Sequence, residues 1–213
     1  MISREEARLG TLMANLFVVL LLVNFGIQIF VLGPDQVGYN QTWGPLLSAT
    51  GFAVGFAFLF VIFLGTKLFG GEDNPYVNIT GSIAFVAQAV NTIPAFAGVA
   101  QENDTDAFLT TNQVLDATSG VNSGWGVMIG IFGLVVIRSS LSKQLIPNYG
   151  ILAGYGGAIL ILVSTLGFAY GVLPEALGIV VSVLGGLLLY PLFIFSLGKA
   201  FTCLLYTSDA ADE

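Results

Sequence analysis

Residues 9–34, LGTLMANLFVVLLLVNFGIQIFVLGP, contain no Asp, Glu, Lys or Arg. At their centre, Leu16-Phe17-Val18-Val19-Leu20-Leu21-Leu22-Val23 shows no alternation of polar and apolar side chains. In lipid every backbone N–H and C=O has to be paired within the protein, which leaves only helices or closed barrels. Barrel strands alternate over about 10 positions, whereas this stretch is hydrophobic all round, as is Val180 to Leu189. It therefore reads as a membrane-crossing helix, which needs about 20 mostly apolar residues.

Working outward with the charges as boundaries, five more uncharged runs appear, at 36–66, 74–101, 117–137, 144–174 and 176–198. Trimmed to their apolar parts, the six runs predict spans near 11–32, 45–66, 78–100, 120–138, 149–172 and 175–200. The expected fold class is all-α: a polytopic six-transmembrane-helix bundle, one domain over residues 1–202. No amphipathic helices remain that could cover these spans in a soluble protein. The first apolar run exceeds the 7–15 residues of a signal-peptide core, so it is expected to stay as a span.

Composition agrees. Of 213 residues, 55% are hydrophobic and 9% charged, against about 25% charged in soluble domains, and the mean hydropathy is +0.88. These values exclude most soluble-enzyme readings and nucleic acid as a partner, and leave the lipid bilayer as the expected one. With no histidine there is no imidazole ligation and no Ser-His-Asp chemistry. Cys203 is the only cysteine, so no intrachain disulfide or thiolate cluster can form. No catalytic residue, cofactor or metal site is predicted.

The basic residues orient the bundle. With six crossings Arg4, Arg8, Lys67, Arg138, Lys143 and Lys199 all fall on one side, and segments 33–44, 101–119 and 172–175 on the other carry none. The positive-inside rule makes the basic side cytoplasmic, so both termini are expected inside, in the inner or plasma membrane. Tyr39, Trp43, Trp125 and Tyr170 then sit near the outer ends, and Tyr76 and Tyr149 near the inner ends, where amphipathic rings belong. Tyr190 lies deep in the sixth span beside Pro191 and is expected to find a hydrogen-bond partner within the bundle. The connection Gln101 to Ser119 fits either a short surface helix capped by Asp106 or a solvated loop. Of the Asn-x-Ser/Thr matches at Asn40, Asn78 and Asn103, the one at Asn78 falls on the cytoplasmic side and is read as chance.

No ionisable side chain occupies the middle of a span. That argues against proton pumps, ion-coupled carriers and voltage sensors, which need such groups at membrane depth. What remains there is amide and hydroxyl chemistry. Asn24 and Gln28 share a face of the first span, and Ala84, Gln88, Asn91, Ala95 and Gly98 form a stripe on the third. The candidate intramembrane cluster is therefore Asn24, Gln28, Gln88 and Asn91. Interhelical hydrogen bonding is the favoured reading; the alternative is a pocket in a carrier or channel for a small neutral or apolar solute, with Pro94 kinking one wall. Gly51 and Gly55, Gly126 and Gly130, Gly150 and Gly154, and Gly185-Gly186 are spaced for close helix contact, within the chain in preference to a homo-oligomer. A membrane enzyme using outer acids Glu102, Asp104 and Asp106 is the weakest reading, because carboxylates on a loop lack a supporting shell. The function expected is that of a non-catalytic multi-pass membrane protein.

From Trp125 onward the chain reads Trp125-Gly126-Val127-Met128-Ile129-Gly130, then Ile137-Arg138-Ser139-Ser140, Leu145-Ile146-Pro147-Asn148-Tyr149-Gly150, and finally Tyr190-Pro191-Leu192-Phe193-Ile194-Phe195-Ser196-Leu197-Gly198-Lys199. This order resembles a family of small prokaryotic multi-pass membrane proteins known only as a domain of unknown function. The resemblance covers the C-terminal part of the chain and implies the same six-helix architecture; it brings no functional residues. The last eleven residues, Cys203 to Glu213, resemble a translated sequencing adapter, so the natural sequence is expected to depart from this one near Thr202.

Overall fold

The computed structural model describes residues 2–32, 43–70, 74–101 and 119–209. Among these every regular element is helical. Helix α1 (Arg4–Gly26) runs into a π segment (Ile27–Leu32); α2 (Trp43–Phe69), α3 (Pro75–Gln101), α4 (Ser119–Lys143) and α5 (Asn148–Ala169) follow. The chain closes with α6 (Glu175–Ser182), a second π segment (Val183–Leu189) and α7 (Tyr190–Asp209), which together make one rod.

Local chemistry sets the ends of these elements. Ser3 caps α1 reciprocally with Glu6: the Glu6 amide donates to Ser3 Oγ at 3.2 Å and the Ser3 amide to Glu6 Oε2 at 2.7 Å. Pro75 opens α3 at the first helical position, where a missing N–H costs nothing. α4 ends at Gln144, which takes a left-handed φ of 51°. Pro191 accounts for the wide turn in the rod. A proline has no amide to donate and its ring presses on the carbonyl one turn back; just upstream, the Tyr190 amide bonds five residues back to Gly185 O.

Among the described residues five helices are long and apolar enough to cross a membrane: Arg4–Gly26, Leu46–Phe69, Gly124–Lys143, Asn148–Gly167 and Ala176–Leu204. α3 carries no charged residue, and its mid-helix amide and hydroxyl groups turn inward. Gln88 and Thr92 are buried, while Ile79, Ile83, Val86 and Val90 are exposed along one helical stripe. The same inversion holds elsewhere: Asn24, Ser140, Ser164 and Ser196 are buried, while Leu12, Val19, Phe63 and Leu152 face outward. An apolar exterior around a partly polar interior fits contact with a lipid bilayer.

Each helix packs on its neighbours in sequence, and α7 returns to α1, so the rods form a ring. Contacts at the helix ends gather the cations. Lys67 Nζ pairs with Glu6 Oε1 at 2.5 Å, Lys143 Nζ donates to Leu68 O at 2.8 Å, and Lys199 lies over Tyr149 with Nζ 5.6 Å from its ring centroid. Asn74 Nδ2 donates to Ser139 Oγ at 2.7 Å, and Ser139 Oγ donates to Phe69 O at 3.0 Å. Arg4, Arg8 and Arg138 stand on these same helix ends.

The cation-bearing half has a packed apolar centre. Val61, Ile62, Val136, Ile137, Phe193, Ile194, Leu197 and Phe201 are all buried there. Since lipid is as apolar as these side chains, close packing has to supply the cohesion. At Gly157 two helix backbones meet: an added Cβ would sit 2.8 Å from the backbone nitrogen of Tyr190. Gly126 and Gly130 face Thr165 and Leu162, and Gly150 and Gly154 face Ser196 and Phe193, so these pairs serve helix contacts inside the chain. The outer acids Asp35, Glu102, Asp104, Asp106 and Asp116, the surface helix expected at Asp106, and Tyr39, Asn40 and Asn103 lie outside the described residues.

Candidate functional site

The other half of the bundle is hollow. A cavity of about 370 Å³ lies inside the ring, and all six rods contribute to its wall. Phe17 and Leu21 come from α1, Gly51, Val54, Gly55 and Phe58 from α2, and Gln88, Asn91 and Thr92 from α3. Trp125 and Ile129 of α4, Ile161, Ser164 and Thr165 of α5, and Ser182, Gly186 and Tyr190 of the last rod complete it. No lining residue carries a charge.

Small residues open this space and aromatic rings close it below. At Gly186 an added Cβ would meet nothing within 4 Å. Towards the cation end the floor is a chain of rings. Phe17 and Phe58 have centroids 4.9 Å apart, Phe58 meets Tyr190 edge-on at 6.0 Å, and Tyr190 meets Phe193 at 5.7 Å. The Tyr190 hydroxyl donates to Ile129 O of α4 at 3.3 Å, which is the bundle partner its depth required.

One wall carries an ordered polar relay. Trp125 Nε1 donates to Gln88 Oε1 at 2.6 Å, Gln88 Nε2 donates to Thr92 Oγ1 at 3.0 Å, and Thr92 Oγ1 donates to Gln88 O at 2.8 Å. Gly55 gives Thr92 room against α2: a Cβ there would overlap the threonine side chain. On the opposite wall the Ser164 and Ser182 hydroxyls share a hydrogen bond of 2.5 Å between α5 and α6. Asn91 differs from all of these. It lines the cavity, half-buried, and has no hydrogen-bond partner among the described residues.

Two of the four residues singled out from sequence thus meet at this cavity. Gln88 is held by Trp125 and Thr92, while Asn91 has no hydrogen-bond partner among the described residues. Asn24 is buried elsewhere: its Nδ2 donates to Leu47 O at 3.0 Å and Thr50 Oγ1 at 2.8 Å, tying α1 to α2. The side chains of Gln28, Pro94, Ala95 and Gly98 lie outside the described residues. Ser164, Ser182 and Thr165 went unnoticed in the sequence, because a hydroxyl in a span ordinarily bonds its own helix carbonyl and leaves no spacing signal.

The groups facing the cavity are amide, hydroxyl, indole and hydrocarbon, none of which titrates near neutral pH. Such a lining accepts an uncharged molecule with one hydrogen-bonding group, whereas a buried ion would stay unpaired in it. Among the described residues no group of His, Cys, Asp or Glu could hold a metal ion. No protein-family model, curated protein or solved structure matches the chain.

Proposed function

We propose that the chain is a non-catalytic, multi-pass membrane protein whose bundle binds a small, uncharged, mainly apolar molecule. The observation that carries this reading is the cavity of about 370 Å³, uncharged among its described lining residues, with an Asn91 amide in its wall that has no partner among the described residues. That volume lies within the range of about 300–1,000 Å³ typical of ligand pockets. It holds roughly a dozen non-hydrogen atoms at liquid density. The Asn91 amide both donates and accepts, so a hydroxyl or a carbonyl on the guest suits it. Among the described residues the Phe17, Phe58 and Tyr190 rings form a floor over the packed core on the cation side. A carrier would have to repack that floor.

In this reading the ring spans the inner or plasma membrane six times with both termini cytoplasmic. Two observations support it. α3 presents Ile79, Ile83, Val86 and Val90 outward, as a lipid-facing helix with an inward polar stripe should. The six cations share one end of the bundle, which the positive-inside rule assigns to the cytoplasm.

Trp125 is a built-in reporter. With Trp43→Phe it becomes the only indole in the chain, and a bromine entering the cavity quenches it. Titrating the detergent-purified protein with p-bromobenzyl alcohol is expected to give saturable quenching, weakened by Asn91→Leu. Quenching that rises linearly without saturation would overturn the reading.

A further inference from the structure

The ring closes unevenly. α7 packs along α1: Thr11 Oγ1 reaches Thr202 Oγ1 at 3.1 Å and Gly198 O at 3.3 Å, and Gly10 lies against the Phe201 ring. Higher up, α6 and the second π segment pack on α5, and neither forms a packed interface with α1. The far part of α1 leans instead on α2 through Asn24. A gap therefore separates α1 from the α6–π rod at the level of the cavity. Leu21 stands on one edge and Ser182 and Gly186 on the other, and all three line the cavity.

The surface on both sides of that gap is hydrocarbon. Val19, Leu22 and Val23 are exposed on α1, as are Ile179, Val180 and Val183 on the rod. A solute dissolved in water would have to cross this apolar rim unhydrated, whereas one dissolved in lipid is concentrated against it. We infer that the cavity is loaded sideways from the bilayer, through the gap between α1 and the α6–π rod, by a lipid-dissolved neutral amphiphile: a short apolar chain or ring bearing one hydroxyl or carbonyl. This rests on the proposed binding function and adds to it the route and the class of ligand. Gly186 is the gatepost, since an added Cβ there meets no described protein atom within 4 Å and a side chain grows from it into the passage.

The test uses the full chain carrying Trp43→Phe, reconstituted in phosphatidylcholine vesicles and mixed rapidly with 8-bromooctan-1-ol, a neutral amphiphile of ten non-hydrogen atoms. Quenching of Trp125 is expected to saturate with the mole fraction of alcohol in the bilayer and to be competed away by octan-1-ol. Gly186→Phe is expected to slow its onset at least tenfold or to abolish it, while Val86→Phe, on the lipid-facing stripe of α3, leaves the rate unchanged. Gly186→Leu replaces the Phe variant if that protein aggregates. An unchanged rate in the Gly186 variant overturns the side entrance and leaves binding intact. Saturable p-bromobenzyl alcohol binding in detergent with no saturable 8-bromooctan-1-ol signal in vesicles overturns the ligand class. Absence of both signals defeats the binding function itself.

Discussion

Trp125 hands its indole N–H to the side-chain carbonyl of Gln88 at 2.6 Å, joining α4 to α3 at the wall of the cavity. Gln88 is 3% exposed, so its side-chain carbonyl is largely withdrawn from bulk water. Gln88→Leu is expected to destabilise the detergent-solubilised protein by about 1–3 kcal/mol, the cost of leaving a buried donor unmatched. Trp125→Phe in the same background should recover part of that loss, because the orphaned donor goes with it. Strictly additive losses in thermal or denaturant unfolding would show that this hydrogen bond does not form.

Asn24 and Asn91 should respond in opposite ways. Asn24 ties α1 to α2 through Leu47 O and Thr50, so Asn24→Leu is expected to cost about 0.6–2 kcal/mol of stability and to leave p-bromobenzyl alcohol affinity within about twofold. Asn91→Leu removes an amide with no protein partner among the described residues. Its stability should hold or rise, while affinity falls by about 2- to 12-fold, the equivalent of one neutral hydrogen bond of about 0.5–1.5 kcal/mol. Equal effects of the two substitutions on binding would place both residues at one site, contrary to the geometry.

Two glycines of the last helix pair provide a packing contrast. A Cβ on Gly157 would lie 2.8 Å from the Tyr190 backbone nitrogen, and a backbone cannot rotate aside as a side chain can. Gly157→Ala is therefore expected to cost about 1–3 kcal/mol or more, through displacement of the rod. Gly186→Ala meets open space and should be neutral or stabilising by up to about 1 kcal/mol from helix propensity. Melting temperatures of the two variants in the same detergent decide it; a fall in both of similar size would contradict this account.

The reach of sequence reading follows from what each signal measures. Charges mark where lipid ends, so the gaps between them located the apolar cores of the spans, but helices continue into the interface: α1 starts at Arg4 and α4 runs to Lys143, beyond the apolar stretches. Gln88 and Asn91 were legible as a pair because they lie three apart on one helix. Their separation from Asn24 was not, because which neighbour a helix face meets depends on how the ring closes. Glycine spacing announced close contacts without naming partners. The π segment had visible ingredients in Gly185-Gly186 and Pro191, yet a glycine pair before a proline does not say whether the turn ahead of the proline widens or kinks.

Topology supplies the remaining prediction. If the six rods all cross the bilayer and the cation-bearing end is cytoplasmic, positions 73 and 145 face the cytoplasm and positions 38 and 110 the opposite side. Alkaline phosphatase fused at 38 or 110 should be active and at 73 or 145 inactive, with a cytoplasmic reporter giving the complementary pattern. α3 is the informative helix, because it joins the cation-bearing ends of α2 and α4 and carries the buried polar residues Gln88 and Thr92. Were α3 to lie on the surface without crossing, positions 73 and 110 would report the same side. The cations of α2 and α4 would then be split across the membrane, although Lys143 Nζ lies 2.8 Å from Leu68 O at the end of α2. Matching signals at 73 and 110 would thus contradict both the six-span reading and the packing that joins these helix ends.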